Sequence, residues 1–215
     1  MIHPHSVTSS DVVVPPHGLA GTLSVVKNSN GLIVFAHGSG SSHLSPRNLA
    51  VAKALNDRNF ATFLFDLLTQ EEEADRANVF DIQLLAERLV EAVQWLDGQT
   101  PAIARLPVGL FGASTGAAAA LLAAARLPER ISAVVSRGGR PDLAGEALAK
   151  VRAATLLIVG GADHGVIELN EEAFARLHAP KAIEIVAGAT HLFPEPGAMD
   201  AVIGHAARWF ESHLI

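Results

Sequence analysis

Cysteine is absent from the 215-residue chain. That excludes a disulfide framework, a thiolate nucleophile and a zinc ribbon, so covalent chemistry has to use Ser, Thr, Asp or Lys. Basic residues are in the minority, 16 Lys and Arg against 22 Asp and Glu for a formal net charge of −6. With no basic stripe along the chain, nucleic acid is not an expected partner. Long apolar runs are missing too. The longest charge-free stretch of interest, residues 109–125, is interrupted by Gly112, Ser114, Thr115 and Gly116, whereas a membrane span needs about 20 predominantly apolar residues. It reads as a buried strand followed by a buried helix. Residues 1–26 carry no Lys or Arg that would form the basic start of a targeting segment, and Pro15, Pro16 and Gly18 break their apolar stretch. A cytoplasmic protein that does not engage membranes is the expectation.

What is present suits a globular chain: 49% apolar residues, 18% charged and a mean hydropathy of +0.30. Low hydrophobicity combined with high net charge, the composition of disorder, is not seen. We read residues 1–215 as one domain, without linker, repeat or low-complexity tract. Short apolar runs alternate with helical patterns. Val12 to Val14 and Leu19 to Val26 read as a leading strand pair, closed by the turn Asn28-Ser29-Asn30-Gly31. Strands are then expected at Leu32 to Ala36, Phe60 to Phe65, Val108 to Phe111, Ile131 to Val135, Thr155 to Val159 and Ile183 to Val186. Helices are expected from Pro46 to about Arg58, at Asp81 to Leu96, Thr115 to Leu127 and Ala198 to Leu214, with a short one near Leu143 to Val151. The acidic run Glu71-Glu72-Glu73 reads as a solvated loop. This order predicts an α/β fold, a mostly parallel sheet covered on both faces with the leading pair as an antiparallel edge. There is no room for a large lid.

Ligands of such sheets bind beyond the carboxyl ends of the strands, so the residues just after each strand matter most. Val108 to Phe111 is followed by Gly112-Ala113-Ser114-Thr115-Gly116, the pattern Gly-x-Ser-x-Gly between a strand and a helix. By chance alone the pattern would arise about 0.09 times in such a chain, and its placement sharpens it further. A sharp strand-to-helix turn lifts the Ser114 hydroxyl clear of the backbone. Serine needs a general base within reach and a third group to fix the tautomer of that base. After Thr155 to Val159 comes Gly160-Gly161-Ala162-Asp163-His164, and after Ile183 to Val186 comes Gly188-Ala189-Thr190-His191. Asp163 and His191 are therefore the expected acid and base. Among the ten histidines, His3, His5, His17, His205 and His213 fall in the N-terminal region or the final helix, while His43 and His178 sit in a loop and near a helix end. His164 is the runner-up base, and Asp142 the rival acid.

An oxyanion needs two preorganised donors. The N–H of Thr115 is one, and Ser39, in His37-Gly38-Ser39-Gly40 after the third strand, is our choice for the other. The Gly/Ser-rich loop lacks the Gly-Lys-Ser/Thr ending of a P-loop and the spacing Gly-x-Gly-x-x-Gly, which argues against a nucleotide there. Arg47, Arg137 and Arg140 lie near the expected mouth. The ordinary role of Arg137 is a surface ion pair with Asp142 or the Glu71 run; the alternative is a substrate carboxylate.

Taken together, His37-Gly38-Ser39-Gly40, Gly112-Ala113-Ser114-Thr115-Gly116, Gly160-Gly161-Ala162-Asp163 and Ala189-Thr190-His191 resemble the α/β-hydrolases, and within them the small enzymes similar to dienelactone hydrolase. The resemblance implies an eight-stranded, mostly parallel sheet, a Ser114, Asp163, His191 triad, and hydrolysis through an acyl-enzyme without metal or organic cofactor. Dienelactone hydrolases proper use a cysteine nucleophile where this chain has Ser114, so the dienelactone substrate does not carry over. Small esters or thioesters are the implied substrates, acted on as by a carboxylesterase. A small peptidase on the same triad and a non-catalytic binding module that keeps the fold are the alternatives. The sequence leaves the oligomeric state open.

Overall fold

In the computed structural model, which describes residues 6–214, all the strands join one eight-stranded sheet. In chain order the elements are β1 (Val7–Val14), β2 (Leu19–Val26), β3 (Leu32–Ala36), α1 (Pro46–Asn56), β4 (Ala61–Phe65), α2 (Gln70–Ala74), α3 (Arg76–Val79), α4 (Ile82–Asp97) and α5 (Pro101–Ala104). They continue with β5 (Val108–Ala113), α6 (Thr115–Arg126), β6 (Ile131–Arg137), β7 (Ala154–Gly160), α7 (His164–Arg176), β8 (Lys181–Val186) and α8 (Ala198–His213). The sheet order is β1-β2-β4-β3-β5-β6-β7-β8, and β2 pairs antiparallel with both β1 and β4. Every other pairing is parallel. The expected antiparallel edge is therefore present.

Continuous apolar runs make β3, β4, β5 and β7 buried along their whole length, as strands covered on both faces must be. One core layer packs α4 and α6 on the sheet through Leu85, Leu89, Leu96 and Leu121. The other packs α1 and α8 on the opposite face through Val51, Leu55, Val202 and Phe210. Each fully buried Leu, Ile or Phe contributes about 1.5–3 kcal/mol. Among the described residues, no helix is long and apolar enough to cross a membrane.

Three expectations change. Strand β1 begins at Val7, not Val12, because it lies at the sheet edge with most of its residues exposed, and its polar Thr8, Ser9 and Ser10 hide the strand from a reading based on apolar runs. The Glu71 run is helical rather than a loop. Thr69 accepts the N–H of Glu72 at 3.2 Å while the Glu72 carboxylate takes the N–H of Thr69 at 2.9 Å, a reciprocal cap that starts α2. Glu72 also pairs at 2.7 Å with Arg88, a buried residue of α4 that contacts His17 and Glu91 as well. Finally, His164 opens helix α7 rather than continuing a loop; α7 turns Val166, Ile167, Asn170, Ala173 and Phe174 inward and leaves Glu168, Glu171 and Glu172 exposed. The short helix near Leu143 is a 3₁₀ segment, Pro141–Lys150, kinked at Gly145. His3 and His5 lie outside the described residues.

Candidate active site

Between β5 and α6, Ser114 has φ +51° and ψ −123°, a left-handed conformation that costs a non-glycine residue on the order of 1–3 kcal/mol. The surroundings enforce it. A Cβ on Gly112 would collide with the backbone of Ala117, and one on Gly116 with the carbonyls of Ala36 and His37. The two glycines thus let α6 sit directly against the ends of β5 and β3. The Ser114 carbonyl accepts the N–H groups of Ala117 and Arg140, both at 3.1 Å, and its own N–H points to the Arg137 carbonyl at 3.4 Å. Thr115 occupies the first turn of α6, 3% exposed, with its N–H among those a helix leaves free at its start.

Asp163 follows β7 by three residues. Its N–H bonds the Gly160 carbonyl at 3.0 Å, and its carboxylate takes no part in capping α7. His191 arrives from the loop after β8, which is tied to the Asp163 loop by the Ala162 N–H on the Ala189 carbonyl at 2.9 Å. Glu195 accepts both the N–H of Thr190 at 3.0 Å and its hydroxyl at 2.6 Å, and that hydroxyl bond holds the Glu195 carboxyl below the usual carboxylate range. Phe193, 2% exposed and at φ +56°, anchors the same loop in the core layer of α8.

These ties converge on one contact. His191 Nδ1 lies 2.7 Å from Asp163 Oδ2, and a carboxylate can only accept there, so Nδ1 carries the proton and Nε2 is left as an acceptor. Gly138 follows the residue whose carbonyl accepts the Ser114 N–H and packs against the loop that carries His191. A Cβ at Gly138 would be 2.8 Å from the His191 carbonyl. Among the described residues Ser114 Oγ makes no hydrogen bond; catalytic bonds of this type often close only when substrate is bound.

The loop after β3 approaches through Gly38, where a Cβ would be 2.9 Å from the Ser114 Cβ. His37, Gly38, Ser39 and Thr115 line a slot together with Leu67, Leu68, Glu73, Val79 and Leu85. Its volume of about 10 Å³ is room for a single water. His37 holds the loop in place. Its Nδ1 donates to the Gly38 carbonyl at 3.0 Å and its Nε2 accepts the Leu67 N–H at 3.0 Å, an arrangement open only to neutral imidazole. Nearby, Asp66 accepts the His43 N–H at 2.7 Å and His43 Nδ1 at 2.9 Å. Asp66 directly follows β4, so the rule that singled out Ser114 and Asp163 applied to it as well. In the sequence His37 is legible only as part of the Gly/Ser-rich loop that follows β3.

Burial lowers the His37 pKa below 6.5, with Asp66 and Glu73 on one side and His43 on the other as the charges it faces. The unfolded chain therefore binds a proton that the folded chain refuses, and stability falls as the pH drops below about 6.5. Melting temperatures from pH 7 to 5 should decline less steeply for His37→Gln than for the wild type; equal slopes would show that His37 is not the group responsible.

The other expected residues divide clearly. Arg140 holds Asp142 in a two-point ion pair, at 2.9 and 2.8 Å, and no histidine bonds Asp142 among the described residues. His164, at the start of α7, makes no hydrogen bond to Asp163 among the described residues, whereas His191 does. Arg47 is exposed in the first turn of α1 and lines a cleft with Gly40, Ser41, Ser42 and Glu73. Arg137 ends β6 and is 6% exposed. The expected surface ion pair is not formed: among the described residues no carboxylate lies within 4 Å of Arg137, because Asp142 belongs to Arg140 and Glu72 to Arg88. Burial, and then the charge of Arg47, push its guanidinium down to about 10. Among the described residues no three His, Asp or Glu side chains are gathered as a metal site would require.

The family model for the alpha/beta hydrolase fold matches residues 31–163. A dienelactone hydrolase from Anabaena variabilis is 51% identical, covers 99% of this chain and 100% of its own, and superposes with a TM-score of 0.92. Carboxyl esterase 2 from Tuber melanosporum, 19% identical over 99% of this chain and 89% of its own, shares the fold at a TM-score of 0.76. Two Mycobacterium tuberculosis proteins, provisionally named phosphoribosyl transferases, are 57% identical over 203 residues. The chain spans 94% of itself but only 46% of those relatives in these matches.

Proposed function

The chain belongs to the α/β-hydrolase family, in its dienelactone hydrolase-like branch, and we propose that it is a serine hydrolase of small esters or thioesters. The observation that carries the reading is the 2.7 Å contact between Asp163 and His191, set beside a serine in a strained elbow. In this mechanism His191 Nε2 takes the Ser114 proton as Oγ attacks the acyl carbon. Asp163 keeps the imidazole in the tautomer that can accept and stabilises the imidazolium that forms. The N–H groups of Thr115 and Ser39 bind the developing oxyanion, each donor contributing about 3 kcal/mol to lowering the barrier. His191 then protonates the leaving group, and water repeats the sequence on the acyl-enzyme. The dienelactone hydrolase relative supports hydrolysis and does not by itself define the substrate of this chain.

A slot the size of one water beside the oxyanion donors favours a short acyl group. Acetate esters should exceed hexanoate esters of the same alcohol in kcat/KM by at least about tenfold, since misfit of this size is typically worth that much. A preference for hexanoate would remove the slot from the account. The general test is a rapid-mixing assay with 4-nitrophenyl acetate. A burst of one nitrophenol per chain is expected from an acyl-enzyme, and no covalent adduct at any time under turnover would overturn the reading.

A further inference from the structure

Within the serine-ester reading just given, one carboxylate beside the slot indicates which acyl groups the site accepts. Helix α2 owes its position to Glu72, which closes the reciprocal cap with Thr69 and is held by Arg88 of α4. The next residue points elsewhere. Successive side chains of a helix lie about 100° apart, so with Glu72 turned to α4 its neighbour Glu73 faces another side, where it lines the slot together with Ser39 and Thr115. Glu73 is exposed, and among the described residues its carboxylate has no ion pair and no hydrogen bond. The slot offers it no counter-charge. Leu67, Leu68, Val79 and Leu85 are apolar, and the hydrogen bonds of His37 are those of a neutral ring. Arg47 shares an outer cleft with Glu73 but does not border the slot. With His37 and Leu68, Glu73 also lines a second cleft of about 340 Å³, where Asp66 is the other charged residue and no Lys or Arg is present. An acyl chain that extends past the slot therefore meets negative charge.

This charge bears on the reaction itself. The two residues proposed as oxyanion donors face the same slot, and a carboxylate there opposes the negative charge that develops in front of them. A cation carried by the substrate removes that opposition, and a second anion adds to it. We propose that Glu73 sets the charge preference of the acyl site, favouring short acyl groups that end in an ammonium and rejecting those that end in a carboxylate. The bond chemistry is that given above. The Ser114 Oγ–acyl bond forms as the bond from the acyl carbon to the alcohol oxygen breaks, and the serine proton passes through His191 to that oxygen. Water then releases the short acid and restores Ser114.

The test compares three ethyl esters at neutral pH: the 3-aminopropanoate, its uncharged isostere the butanoate, and monoethyl succinate. Dividing the wild type by a variant cancels the intrinsic reactivity of the esters. The ratio of kcat/KM for the ammonium ester to that for the carboxylate ester should fall by about 25-fold in Glu73→Gln, roughly fivefold for each charge, the scale set by a hydrated carboxylate. Glu73→Lys should reverse the order of the two charged esters. Glu71→Gln removes the same charge from an exposed position of α2 that lines neither the slot nor the clefts, and should leave the ratio as it is. An equal fall in Glu71→Gln would assign the preference to the net charge of the chain, and an unchanged ratio in Glu73→Gln would remove Glu73 from the acyl site; either overturns the proposal. The butanoate separates this proposal from the esterase reading. Hydrolysis of the butanoate with a ratio indifferent to Glu73 ends the charge preference alone, whereas hydrolysis of none of the three esters by the wild type ends both.

Discussion

Ser114→Ala is expected to lower kcat by about 10⁵-fold or more, the scale on which removing the nucleophile of a serine triad acts. The folded chain should be indifferent to the change. Ser114 Oγ makes no hydrogen bond among the described residues, and alanine at φ +51° meets the same backbone strain as serine. Activity and stability thus separate, which distinguishes loss of chemistry from loss of structure. Steady-state hydrolysis of 4-nitrophenyl acetate together with a thermal melt gives both readings. A variant that keeps a tenth of the activity would exclude Ser114 as nucleophile.

The second large effect is at Asp163. Asparagine can present an NH₂ group to His191 Nδ1, which then has to accept, so the ring proton moves to Nε2 and the base is lost. The cost for such a tautomer change is about 10⁴-fold in kcat. Because the Asp163 carboxylate does not cap α7, Asp163→Asn should leave the melting temperature close to that of the wild type. A drop of tenfold or less would mean that the 2.7 Å contact only orients the imidazole.

Why so much of this site could be read from the sequence follows from its construction. In a mostly parallel sheet the parallel strands deliver their following residues to one edge, so the loops that carry Ser114, Asp163 and His191 reach the same edge, and strand positions alone nominate them. The elbow is legible because its glycines are obligatory: Gly112 and Gly116 face backbone that leaves no space for a Cβ. Side-chain partners were less accessible. Arg137 reads from sequence as one more exposed cation, since alternation and the capture of Asp142 by Arg140 become visible only when β6 is placed between its neighbours. Helix α7 starts without a side-chain cap and with Gly165 in its first turn, so its beginning carries no local signal, and β1 extends past its apolar residues because an exposed edge tolerates the polar Thr8, Ser9 and Ser10. The His37 contact to Leu67 joins residues 30 apart in the chain, a relation no local pattern encodes.

Treatment with a fluorophosphonate, followed by intact-mass and peptide mapping, tests the central claim most directly. The wild type should gain one phosphonyl group per chain, on Ser114, and Ser114→Ala should gain none. Labelling of the alanine variant to the same extent, or modification at any residue other than 114, would contradict it.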